Sequence, residues 1–334
     1  MLAMDRLAEG IGVKIKWCAS GKNSSLIERA RHAIGTTNEP YPPVFTPWKC
    51  YVPTAFQAGI AAQQLPRAKW VASYLFDSGV GRPIANPTID LVLMSPLPIE
   101  CQTEDSVAPA MPRLGVLKAM LNAMQTEGRR RLAIILPEAN QNSMAALLVM
   151  ACDAATRSDV EVEILSIEQA VVRIQSNEFN WEAVIAMPEL RGIVFAMLSE
   201  WAGVSAPWPM LWQGQALNAV TSEALGIPAK RQLDATLLMQ ALALAARKGG
   251  CGTVAERLHE SWAVLRDRGV VTPSRSLPTP YVKEVSEADF VDIAATARPR
   301  DGRALPKWKG VASGRPAEAH REARSASLAL VQSR

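Results

Sequence analysis

The chain has 334 residues, enough for one large globule or two coupled domains with real cores. Hydrophobic residues make up 49% and charged residues 20%, with 36 Lys+Arg against 32 Asp+Glu, which excludes a disordered or polyelectrolyte chain. Five scattered cysteines (Cys18, Cys50, Cys101, Cys152, Cys251) include no CxxC pair, so neither a zinc knuckle nor a disulfide framework is indicated. Thiols in a reducing cytoplasm are the simple reading.

Met4 to Ala8 reads as the end of an amphipathic helix, broken by Gly10-Ile-Gly12, and Val13 to Trp17 alternates as a half-exposed strand. The opening residues lack the long apolar run of a secretory signal. A short helix is expected over Ser25 to Ile34. Glu39 to Pro53 carries five prolines and is expected to be a loop. Trp70 to Phe76 and Ile89 to Met94 are apolar enough for buried strands. Leu114 to Glu127 has helical spacing that Gly128 stops. Arg131 to Leu136 is a strand, Ser143 to Thr156 a helix, Val160 to Ile164 a strand, Ile167 to Ile174 a helix and Trp181 to Ala186 a strand. This alternation predicts crossover connections and a sheet covered by helices.

After Pro209 the pattern is read as helical. Ala235 to Ala246 ends at Gly249-Gly250, and Val254 to Arg268 ends at Gly269. Ser286-Glu-Ala-Asp289 opens a helix to Ala297 in the manner of a capping box. The longest apolar segment, Leu237 to Ala246, is too short to span a membrane. From Arg298 to Arg334 there are nine Lys/Arg against three acids, so the positive excess belongs to this stretch. It is expected to be a basic disordered tail; nucleic-acid binding is not the favoured reading.

Several blocks, in order, resemble the isocitrate/3-isopropylmalate dehydrogenase family of decarboxylating hydroxyacid dehydrogenases. RRLAIILPEANQNSMAALLVMACDAA, from Arg130, is similar to the family's strand, HKAN-type turn and serine-led helix. WEAVIAMPELRGIVFAMLSEWAG, from Trp181, resembles its strand and NLxGDILSD helix. Leu233 to Leu265 is similar to the helix pair after the cofactor loop. GVVTPSRSL and KEVSEADFVDIA, within Gly269 to Ala294, resemble the closing GKVRTPDLGG and TxEFTDAV segments. The resemblance implies a three-layer α/β fold in which two α/β domains share a sheet. Residues 1–70 with 205–297 would form the first domain and 71–204 the second, with dimer-forming helices. The family's opening strand and its Gly-Asp-Gly-Ile-Gly-Pro turn have no counterpart, so that strand is expected to be missing.

The family's reaction oxidises a secondary alcohol beside a carboxylate and expels carbon dioxide. A divalent metal polarises the forming carbonyl, a Lys and a Tyr carry protons, arginines hold the substrate carboxylates, and NAD or NADP takes the hydride. The two family aspartates, four residues apart on one helix face, fall on Ile193 and Met197. The third, contributed by a partner subunit, falls near Glu168, the one acid between Ser166 and Glu168. In Pro137-Glu138-Ala139-Asn140 the lysine position is Glu138, although Asn140 is kept. The clasp stretch, Ser95 to Arg113, is short and has no tyrosine. Arg67 matches one substrate arginine, and Phe76 takes the place of the second. The cofactor loop matches only Gln213 to Pro228.

The expectation is therefore a degenerate family member, a pseudoenzyme with a structural or regulatory role. It would need neither NAD nor magnesium, and would work as a cytoplasmic homodimer or as a hetero-oligomer with an active family member. An active, divergent NAD(P)-dependent oxidative decarboxylase of a small 2-hydroxy acid, using NAD and Mg2+, is the alternative.

Overall fold

A computed structural model describes residues 2–12, 15–19, 43–51, 68–76, 89–102, 111–152, 159–203, 207–214, 218–225, 233–275, 282–298, 308–311 and 328–332. The helix expected over Ser25 to Ile34, and Arg67, lie outside these residues. In chain order the strands are β1 (Ile15–Ala19), β2 (Val44–Tyr51), β3 (Ala68–Phe76), β4 (Asp90–Pro96), β5 (Cys101–Gln102), β6 (Met111–Pro112), β7 (Arg131–Ile135), β8 (Glu161–Leu165), β9 (Ala183–Ala186), β10 (Trp208–Gly214), β11 (Asn218–Glu223), β12 (Val270–Val271), β13 (Lys283–Glu284) and β14 (Leu328–Gln332). The helices are α1 (Leu2–Gly10), α2 (Leu114–Thr126), α3 (Gln141–Ala151), α4 (Ile167–Gln175), α5 (Arg191–Trp201), α6 (Ala235–Lys248), α7 (Gly252–Asp267) and α8 (Glu287–Thr296).

Eight strands form one sheet in the order β2-β11-β10-β3-β4-β9-β7-β8. Strands β4, β9, β7 and β8 run parallel, while β3 is antiparallel to both of its neighbours, β10 and β4. Three of these parallel strands are unbroken apolar runs, Leu91 to Met94, Leu132 to Ile135 and Ala183 to Ala186, and all these residues are buried, whereas the edge strand β8 alternates and is largely half-exposed. The three apolar runs have the pattern of strands covered on both faces. Helices α2 and α3 pack together, as do α4 and α5. The step from β7 to β8 runs outward and the step from β8 to β9 runs back. With one handedness, these two crossovers place α3 and α4 on opposite faces. Helix α6 covers β2, β10 and β11 and packs on α7.

The α/β fold with a large shared sheet is as expected, and three local expectations are corrected. The proline-rich stretch is not all loop, because Val44–Tyr51 is a strand carrying Pro47. It lies at the sheet edge, and its register against β11 shifts between Val220 and Ser222. An edge strand with an irregular ladder is where a missing N–H costs least. The segment after Pro209 is a hairpin of strands β10 and β11, not helix. A domain boundary at residues 70/71 would cut through β3.

The stretch expected to be a disordered tail also departs from that reading. Trp308 is 1% exposed and Val311 is buried, and β14 pairs in parallel with β1. Among the described residues, no helix is long and apolar enough to cross a membrane.

Candidate functional site

Open parallel sheets present their working groups beyond the carboxyl ends of the strands, where successive connections leave in opposite directions. Here that point lies between β7 and β9. The chain leaves β7 through α3 toward β8, and leaves β9 through α5 toward β10 on the other side. Met187 N–H donates to Ile135 O at 3.2 Å, Leu136 N–H to Leu165 O at 3.1 Å, and Ser95 Oγ to Ala186 O at 2.6 Å. These bonds fix the turns Pro137–Asn140 and Met187–Leu190 side by side beyond the sheet.

The turns of the HKAN-like and NLxGD-like blocks therefore lie side by side at this end of the sheet. Glu138 is exposed on a short 3-10 turn, and Asn140 is buried at the start of α3. The first turn of α4 is adjacent, since Gln141 Nε2 donates to Gln169 Oε1 at 3.2 Å. Ser166 closes a capping box there: its N–H donates to Gln169 Oε1 at 2.9 Å, and its Oγ accepts from Gln169 N–H at 3.3 Å.

Glu168 is fully exposed in that turn. A hydrogen bond from its own backbone N–H and one from the Ser166 side chain hold its carboxyl below the ordinary range. It behaves as a helix N-terminal acid. On α5, Ile193 is 52% exposed and Met197 is half-buried.

These donors do not suit magnesium, which requires hard oxygen ligands; an alkyl group offers none and a thioether is soft. Among the described residues, no three His, Cys, Asp or Glu side chains lie close enough together to hold a metal ion. The run matched to the cofactor loop does not suit a dinucleotide either. Its residues Ala219 to Glu223 are buried inside the sheet.

Sequence reasoning passed over three side chains at this end. Burial lifts the Glu189 carboxyl above the usual carboxylate range. Burial also pushes the Cys101 thiol up to about 12, with Glu189 and Glu100 adding to the effect and Arg113 opposing it. Cys101 is therefore a neutral thiol donating to Leu97 O at 3.6 Å, not a poised nucleophile. The third is Arg191, wholly buried at the start of α5. It reaches back over the sheet, where its Nη2 donates to Glu223 Oε2 at 2.7 Å and contacts Ser73 Oγ at 2.7 Å; Ser73 Oγ in turn donates to Glu223. The only sequence signal for Arg191 was a charge one place before Gly192, at the head of the apolar run Ile193 to Leu198.

The opposite end of the sheet holds an ionic network. Arg129, without exposed side-chain surface, pairs with Asp90 and Glu127 at 2.8 Å each, and Tyr74 Oη donates to Glu127 at 2.6 Å. None of the candidate-site residues named above takes part in it.

Against solved structures, the chain is similar to the isocitrate dehydrogenase from Methylococcus capsulatus, at 14% identity and a TM-score of 0.57. The match covers 88% of this chain and 93% of that one. It is also similar to the TT0538 protein from Thermus thermophilus, at 14% identity and a TM-score of 0.52, over 83% of this chain and 56% of that one. At these identities the likeness shows the isocitrate-dehydrogenase-like fold. No protein-family model matches the chain, and no curated protein does.

Proposed function

We propose that this chain is a non-catalytic relative of the isocitrate/isopropylmalate dehydrogenases, serving as a structural or regulatory subunit. In this reading it acts as a homodimer or beside an active family member, in a cytoplasm, which suits five scattered cysteines without a CxxC pair. One observation carries the proposal. The helix that would supply two metal-binding aspartates instead presents Ile193 and Met197, with Ile193 half in solvent.

A catalytic surface retuned for another hydroxyacid would keep oxygen ligands there, because the metal carries the developing negative charge of the enolate. An apolar residue exposed at that place suits contact with another protein. Further exposed apolar side chains, Val149 and Met150, lie on α3.

The deciding experiment is a nicotinamide-reduction assay with NAD and NADP, in magnesium, on isocitrate-, isopropylmalate- and malate-type substrates, run with sedimentation of the same sample. The expected result is no turnover from an associated species. Turnover would overturn the proposal in favour of the divergent oxidative decarboxylase.

A further inference from the structure

A four-residue segment near the C-terminus is held by contacts that read as a recognition motif. The Trp308 indole lies in a socket formed by Phe76 (centroids 4.6 Å apart), Tyr74 (5.7 Å) and His259 (5.8 Å), with Trp262 behind Phe76 at 5.0 Å. Lys309 takes two carboxylates. Its backbone N–H donates to Asp90 Oδ2 at 2.6 Å, and its ammonium, 35% exposed, pairs with Glu182. Gly310 crosses Tyr74 so closely that an added Cβ would lie 2.7 Å from the Tyr74 ring and 2.7 Å from Trp308 Nε1. Val311 N–H closes the turn on Trp308 O at 3.1 Å.

An aromatic anchor, a cation and an obligatory glycine, in three consecutive residues, are the parts of a short docked peptide. The socket is assembled from β3, α7, the start of β4 and the loop before β9, all more than 40 residues away in sequence.

The docking is also imperfect. Among the described residues, no acceptor reaches the buried Trp308 Nε1. A buried donor left unmade loses the hydrogen bond it had in water, which lowers the gain from seating the indole.

We propose that Trp308–Val311 is a detachable strap: a peptide ligand carried in cis, filling an aromatic socket with an acidic rim at the end of the sheet opposite the candidate site. When the strap leaves, the socket accepts a Trp-Lys-Gly peptide supplied in trans. The sheet and α7 remain folded, because the socket walls belong to the core on their own account.

The test uses the full chain. A fluorescein-labelled peptide of residues 304–313, ALPKWKGVAS, is titrated onto the wild type and onto Trp308→Ala. At least tenfold tighter binding to the variant is expected, as is loss of binding when the peptide's tryptophan is alanine. Equal affinity for both chains, or no binding to the folded variant, would overturn the proposal.

If Trp308→Ala fails to fold, hydrogen exchange on Lys309→Glu decides. Residues 308–311 are expected to exchange at least tenfold faster while β4 and β9 keep wild-type protection. Equal loss across β4 and β9 would make the segment part of the core, and unchanged protection at 308–311 would also sink the strap.

Discussion

Arg191 and Glu223 pair with no side-chain surface in solvent, between α5 and β11. Removing one partner strands a charge where water cannot reach it, and costs of this kind run to about 3–5 kcal/mol. Arg191→Met is expected to lower the unfolding free energy by that amount in urea. Arg191→Met with Glu223→Leu should recover much of the loss, because no uncompensated charge remains; an equal loss in the double variant would contradict the argument. Asp234 offers a pH handle. Burial opposes its charge, but Arg275 at 2.5 Å, Leu237 N–H at 2.7 Å and Ser274 at 2.8 Å outweigh that, so its carboxyl sits below the usual range. A group depressed in the folded state stabilises above its unfolded pKa of about 3.9 and loses that contribution as pH falls through the folded value. Acid unfolding below about pH 4 should therefore be steeper in the wild type than in Asp234→Asn, as followed by circular dichroism. Glu182 works in the same direction. Burial would raise it, but the Lys309 ammonium and the backbone N–H groups of Arg130 and Arg131 hold it at about 2.

Elements whose signal was local were legible. Helix α2 ends where Gly128 takes φ +68°, α7 ends where Gly269 takes φ +70°, and Ser286 accepts from Asp289 N–H at 3.1 Å to open α8. Each depends on neighbours within four residues, so the sequence carries the whole reason. Strand β10 was not legible. Trp208 to Trp212 is an unbroken buried run with no period, and Pro209 argued against a strand. The structure accommodates it because the ladder with β3 begins at Met210, one residue later. Likewise β2 depends for its ladder on β11, about 170 residues away. The candidate site shows the same division. The turn at Glu138 and the α5 start were placed by block order, but Glu189 was overlooked because its raised pKa comes from burial, which only the folded structure shows. Ser166→Ala removes the bond to Gln169 N–H and should cost about 0.5–2 kcal/mol in thermal unfolding. Glu168→Ala should leave any response to magnesium unchanged, since its carboxyl is engaged with its own helix terminus. A magnesium response lost in Glu168→Ala would restore a metal role to that residue.

Across the molecule, several ionic groups at the ends of the sheet are buried and paired, Arg191 with Glu223 and Arg129 with Asp90 and Glu127, while several apolar side chains face out. Val149 and Met150 on α3, Val172 on α4 and Ile193 on α5 are each more than half exposed. Helix α3 is apolar around most of its circumference, a composition suited to burial on more than one side. A monomer would leave these faces in water, and covering the exposed half of one isoleucine contributes roughly 1 kcal/mol in each copy. If α5 carries the association proposed above, a charge at Ile193 must be desolvated on dimerisation as well as forgo that contribution. Each 1.4 kcal/mol is about tenfold in Kd, so Ile193→Glu should weaken self-association at least tenfold in analytical ultracentrifugation while leaving the monomer folded. Ile193→Leu, which keeps the apolar area, should associate like the wild type. A wild-type chain that stays monomeric at high concentration, or an Ile193→Glu chain that dimerises unchanged, would remove α5 from the interface. The exposed isoleucine would then require a different partner, and an active family member presenting an apolar helix face is the one to mix with it next.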